Sequence, residues 1–334
     1  MKDRIEYIDL AKGICILLVV LNHISIGGYF WNGNYPLNEV FDQMRMPLYF
    51  ILSGLFFKDY QGGIREFCLR KTNRILVPYI FFMVVYRVAA IVLGYFTGID
   101  TTAPNVTGIW DPLWFLRCLF MMNIIFAVIY YAVRRIPTSP IIIEVLLGAI
   151  VFALGIVGYH LGNLHLNFGT VLTSLPFLWL GYFLNRKLHL LQMKILWWQA
   201  LALAVLLFVM VHFLYMGENL FYNNSYSSPA PLLYFAGFAG TLAVLLVSSV
   251  VKWLPVVSYV GRYSIIVLCT HVATMKVVIA LLKLLPGNWD DVSLIPSLIV
   301  FALTTIGSVC CCWFLSKYLP WFTAQKDLIK TTRR

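Results

Sequence analysis

Charge is scarce in this chain. Only 12% of its 334 residues are Asp, Glu, Lys or Arg, while 61% are hydrophobic, and the mean hydropathy is +0.83. A soluble globular domain carries about 25% charged residues, so that class is excluded. Short alternating strands are also missing: the apolar runs are continuous, which excludes a membrane β-barrel. The seven cysteines (15, 68, 118, 269, 310, 311, 312) lack disulfide or metal spacing. The triplet 310–312 is open to palmitoylation but reads first as small packing residues, and no metal is expected. The first segment lacks a small-x-small site, so no cleavable signal peptide is expected. No internal repeat is visible, where a transporter of two similar halves would show one.

What remains fits a polytopic all-α membrane bundle. We read one transmembrane domain over 1–334, with spans at about 8–28, 44–57, 78–96, 113–133, 141–161, 168–184, 195–215, 232–251, 261–284 and 294–317. The sparse charge sorts the loops. Lys2, Arg4, Lys58, Arg65, Arg70, Lys71, Arg74, Arg134, Arg135, Arg186, Lys187, Lys252, Lys326, Lys330, Arg333 and Arg334 fall on one side. The alternate loops (29–43, 97–112, 162–167, 216–231, 285–293) hold no Lys or Arg but do hold Glu39, Asp42, Asp100, Asp111, Glu218, Asp290 and Asp291. By the positive-inside rule, ten spans place both termini in the cytoplasm. The net charge of +11 is then a topology signal rather than a nucleic-acid footprint. A sequon, Asn105-Val-Thr107, is a weak match.

Ionisable residues inside spans are expensive and are functional candidates by default. The first span carries Asp9, Lys12, Gly13 and His23. Eleven residues separate Lys12 from His23, which returns them to within about 20° of one helix face and sets them roughly 16 Å apart along the axis. Lys12 would serve either as a snorkelling topology anchor or as a site cation. A neutral imidazole at depth suits proton transfer. His271 lies about ten residues into span nine, so the two histidines reach similar depth. Histidines 160, 165, 189 and 212 read as interfacial.

Span two holds Arg45, Pro47, Ser53 and Gly54. The cluster Arg70-Lys71-Thr-Asn-Arg74 reads as a positive-inside flank, a lipid-headgroup contact or a phosphate clamp. Trp114 and Arg117 open span four, and Arg87 sits within span three with Asp111 or a substrate group as its candidate partner. Trp31, Tyr35, Tyr222, Tyr226 and several Asn in outer loops suit either sugar stacking or an aromatic belt.

Five segments taken in order resemble the membrane-bound acyltransferase family 3, in the short form without a fused extracytoplasmic esterase-like domain. They are Arg4…Asp9-x-x-Lys12-Gly13…His23; Met46-Pro-Leu-Tyr-Phe-Ile-Leu-Ser53-Gly54; the basic stretch before Pro78-Tyr79; Trp114-Phe-Leu116; and Gly261-Arg-Tyr263-Ser264…His271. The family commonly has Arg where this chain has Lys12, and Arg-x-x-Arg where it has Lys71-x-x-Arg74. Lys lacks the bidentate fork of Arg.

The resemblance implies acetyl transfer from cytoplasmic acetyl-CoA, across the membrane, to a hydroxyl of a surface glycan or lipid-linked sugar, in a multi-pass protein of a bacterial cytoplasmic (inner) membrane. Membrane lipids and the glycan acceptor are the implied partners, nucleic acid is not, and a homo-oligomer stays open. Lys12, Arg70, Lys71 and Arg74 would meet the donor's phosphates. His23, Lys12, Asp9 and His271 would form the catalytic group, with a covalent acyl-histidine relay as the competing mechanism. Arg45, Ser53, Trp114, Arg117 and Tyr263 would hold or orient the acceptor. Two other functions compete. An ion-coupled transporter or flippase would want more intramembrane carboxylates than Glu144, and a glycan polymerase or ligase would want a larger outer loop.

Overall fold

The computed structural model describes residues 5–26, 38–97, 113–186, 195–287, 289 and 293–331. Lys2, Arg4, Trp31, Tyr35, Asp100, the sequon at Asn105, Asp111, Lys187, His189, Asp290, Asp291, Arg333 and Arg334 lie outside them.

The described residues are almost wholly helical. In chain order the helices are α1 (Glu6–Ile26), α2 (Asn38–Leu55), α3 (Gly63–Lys71), α4 (Val77–Thr97), α5 (Trp114–Val133), α6 (Pro140–His160), α7 (Phe168–Arg186), α8 (Trp197–Phe213), α9 (Ala230–Val251), α10 (Pro255–Arg262), α11 (Ser264–Leu282) and α12 (Leu294–Tyr318). A hairpin of two-residue strands, β1 (Asn219–Leu220) and β2 (Ser225–Tyr226), separates α8 from α9. Local chemistry explains several ends. The Ser139 side chain caps α6, with Pro140 at its first position. Lys252, at φ 65°, closes α9.

A helix stands at each of the ten expected spans. Among the described residues, seven helical stretches are long and apolar enough to cross a membrane: Glu6–Ile24, Gly63–Val92, Trp114–Val133, Pro140–His160, Ala230–Val251, Ser264–Leu282 and Leu294–Tyr318. The protein is therefore a multi-pass membrane protein, as the exposed apolar faces also require. On α4 that face is Ile80, Val84, Val88 and Ile91. Helices α2 and α7 carry internal proline and polar residues, and α8 is 17 residues long. Two readings change. The basic stretch after Lys58 is itself helical: α3 runs through a π-turn (Thr72–Leu76) into α4. Span nine is preceded by a separate helix, α10, with the break at Tyr263.

Two compact units divide the chain. The first comprises Met1–Phe57, Pro176–Phe221 and Tyr226–Leu315; the second comprises Lys58–Leu175, Tyr222–Ser225 and Ser316–Arg334. In the first, α1 packs against α10, α9, α11 and α2. Gly13 and Gly261 make the tightest crossing. A Cβ on Gly13 would overlap the carbonyl of Val257, and one on Gly261 would overlap the carbonyl of Asp9. Missing side chains thus let the two backbones touch. Beyond the crossing, Ile16, Val19, Val20 and Ile24 pack with Val260, Ile266, Val267 and Val300. Gly54 and Gly181 allow α2 and α7 the same close approach.

In the second unit, α5 packs on α3, the π-turn and α6. The C-terminal tail is tied to the π-turn. Asn73 Oδ1 accepts from the backbone N–H of Leu328 (3.0 Å) and Ile329 (2.8 Å), and its Nδ2 donates to the Ile329 carbonyl (2.8 Å). Phe322 stacks on Phe81 with centroids 4.5 Å apart.

The crossing yields a direct test. Gly261→Val should destabilise the protein by about 1–3 kcal/mol, the range for overpacking a filled contact. Thermal unfolding in detergent measures it, and a melting temperature equal to wild type would show that the helices can separate without cost.

Candidate active site

His23 stands ten residues after Gly13 on α1, and His271 stands ten residues after Gly261, which belongs to α10, with the break at Tyr263 between Gly261 and α11. On the far side of this glycine crossing the two imidazoles come into contact. The two rings lie edge to face, with centroids 4.7 Å apart and planes at 80°. His271 is buried and His23 partly so.

Backbone carbonyls fix the tautomers. His23 Nδ1 lies 2.9 Å from the Val19 carbonyl, and His271 Nδ1 lies 3.0 Å from those of both Val267 and Leu268. A carbonyl only accepts, so each Nδ1 carries a proton and each neutral ring keeps its lone pair on Nε2. His271 Nε2 faces His23 Nδ1 at 3.4 Å. The His23 Nδ1–H is thereby held from two sides, and Nε2 is its basic atom.

Helix α2 lines the same unit. Cys15 Sγ donates to the Arg45 carbonyl (3.0 Å), and the Tyr49 hydroxyl donates to the Lys12 carbonyl (3.3 Å). Lys12 Nζ sits 5.3 Å from the centre of the Phe56 ring, a cation–π distance. Arg45 is 7% exposed, pairs with Asp42 through Nη2–Oδ1 at 2.7 Å, and acts electrostatically on His23. Asp42 Oδ2 accepts the backbone N–H of Asn219, 177 positions later, at 2.9 Å. Of the expected residues, His23, His271, Lys12 and Arg45 thus share this unit. So do Asp9, whose carbonyl lies against Gly261; the partly buried Ser53; and Tyr263, tilted against Tyr259 at 4.9 Å.

The second unit holds the others. Arg70 pairs with buried Glu66 at 2.6 Å and lies over Tyr60; Lys71 Nζ lies 5.3 Å from the Phe67 ring centre. Arg74 donates to the Ala324 carbonyl and sits 3.7 Å from Asp327. Arg117 donates to Asn167 Oδ1 (2.5 Å), and Trp114 meets Tyr222 at 5.4 Å.

A family model described as an acyltransferase domain matches residues 5–317. The chain belongs to acyltransferase family 3. No curated protein and no solved structure matches it.

Sequence reasoning left out several polar residues of this acyltransferase. From sequence Asp42 reads only as a loop carboxylate, and nothing there singles out Gln43, Asn219 or Ser228. Asn219 and Asn224, counted among the outer-loop asparagines suited to a sugar, are 3% and 4% exposed, and their amides bond within the protein. Asn223 stays at the surface. The signal that marks Asp42 is its position three residues before Arg45, an (i, i+3) ion-pair spacing on a helix.

The family supplies acyl transfer; the imidazole pair supplies a basic nitrogen of defined orientation. Removing one partner from a buried ion pair strands a charge. Asp42→Ala should cost about 3–5 kcal/mol of stability, and Asp42→Leu combined with Arg45→Met should recover most of it. Chemical denaturation of wild type and the two variants would decide. A mild Asp42→Ala phenotype would mean that Arg45 reaches water.

Proposed function

We propose that this protein transfers an acetyl group from acetyl-CoA to a hydroxyl of a cell-surface glycan or lipid-linked sugar. The observation that carries the reading is the His23–His271 pair, on a chain whose family is an acyltransferase. The transporter reading loses ground to the same family match.

His23 Nε2 is the general base. The acceptor oxygen attacks the thioester carbonyl carbon while its proton passes to Nε2. The tetrahedral intermediate carries a negative oxygen, and the Arg45 guanidinium is the nearby charge suited to it. Collapse breaks the C–S bond. The thiolate recovers the proton from Nε2 and leaves as CoA, and the acetyl ester remains. His271 holds the His23 Nδ1–H through its lone pair, the role a third group plays in a nucleophile–base–orienter set.

Arg70, Lys71 and Arg74, all in the second unit, are the cations assigned to the donor's phosphates. For Arg70 and Arg74 this means exchanging a carboxylate partner for phosphate, chemistry a guanidinium performs readily. The bacterial inner membrane is the compartment this reaction fits, with acetyl-CoA inside and glycan precursors outside.

The purified protein in liposomes, given radiolabelled acetyl-CoA, tests the reading. Wild type should pass label to glycan or release acetate, and His23→Ala should be slower by about 10²–10⁴-fold, the usual contribution of a general base. His271→Phe should fall between them. Full transfer by His23→Ala would refute the assignment. Label trapped on His23 with donor alone would replace the base with an acyl-histidine.

A further inference from the structure

We infer that Asn219, on the β-hairpin, is a positioning residue for the acyl-transfer site: it orients Asp42, and Asp42 orients Arg45. The inference rests on the proposed function, since it assigns Arg45 a role in that reaction.

The hairpin is anchored by aromatic contacts. Phe221 packs on Phe50 of α2 and Phe177 of α7, with centroids 6.0 and 6.2 Å away, and on Tyr226 at 5.2 Å. From this anchored turn a hydrogen-bonded chain runs inward and ends on the Asp42 carboxylate, which accepts from both sides. The Ser228 N–H must donate, so the atom that receives it, at 3.3 Å, is Asn219 Oδ1. Asn219 Nδ2 therefore donates, to Gln43 Oε1 at 2.6 Å and Ser228 Oγ at 3.2 Å. With its side chain clamped between α2 and Ser228, Asn219 presents its own N–H to Asp42 Oδ2 at 2.9 Å. The other oxygen, Oδ1, is left to Arg45 Nη2 at 2.7 Å.

Two features argue for a role beyond holding the hairpin down. The pair it fixes is ionic and buried, which hydrophobic packing would commonly match in stability. Gln43 Nε2 is buried with no hydrogen-bond partner among the described residues, a cost a purely structural tie would avoid. What the chain does secure is the orientation of one guanidinium on α2, at the residue whose carbonyl accepts from Cys15 of the His23 helix and whose charge acts on His23.

The test is a double-mutant cycle read in kcat. Asn219→Ala keeps the N–H but releases the clamp. Its kcat for acetyl transfer should fall about tenfold, a coupling typical of residues in one network, with KM for acetyl-CoA within about twofold of wild type. In an Arg45→Lys background the same change should cost under about twofold, because the fork that Asp42 orients is gone. Asp42→Asn should reproduce the Asn219→Ala loss. Equal losses in both backgrounds would reduce Asn219 to a structural tie and overturn the inference, as would a wild-type kcat in Asn219→Ala. Wild type and His23→Ala in the same assay keep the two ideas apart. If they do not differ, the function reading fails; if they differ and the cycle shows no coupling, only this inference fails.

Discussion

The register between α1 and the α10–α11 pair governs the rest of the first unit. Side-chain packing alone leaves two apolar helices free to slide, since leucine-like surfaces are interchangeable in a lipid environment. At Gly13 and Gly261 the backbones touch, and a slide of one residue would drive a neighbouring side chain into a carbonyl. Each histidine stands ten residues beyond its glycine. The contact of the glycines and the contact of the imidazoles together hold α1 against α10 and α11.

Polar groups near that contact obey one rule: in an apolar bundle each buried donor or acceptor needs a protein partner. Carbonyls one turn back absorb the Nδ1 protons of both histidines, which is what a helix offers a side chain at i+4. Arg45 finds a carboxylate one turn away, and that carboxylate finds a backbone N–H. The helical neighbours are local in sequence; the last link is not.

That difference separates what the sequence revealed from what it hid. Helix positions followed from runs of apolar residues, and loop charge followed from topology; both are local or compositional. The proximity of His23 and His271 was legible because each counts from a recognisable end of an apolar run. The break at Tyr263 and the helical run through Arg70–Arg74 were not, because a basic, apolar-poor stretch reads as loop until its packing on α5 is known. Asn219 and Asn73 act on partners 177 and 256 positions away, and neither asparagine sits at a countable depth in a span that would pair it with them, as the two histidines do. Asn219 and Asn224 show the same limit: composition left sugar contact open for them, and both amides bond within the protein.

The tail beyond α12 is fastened through main-chain atoms. Asn73 grips the amides of residues 328 and 329 and a carbonyl, and Arg74 takes the carbonyl of Ala324. Every residue except proline offers those same amides, and every residue offers the carbonyl. Evolution is therefore free to rewrite residues 328 and 329 almost at will, while position 73 must keep a short amide side chain able to donate and accept at once. Across related chains one would expect a drifting tail beside a fixed asparagine, a lopsided pattern that a comparison of tails alone would mistake for unconstrained sequence.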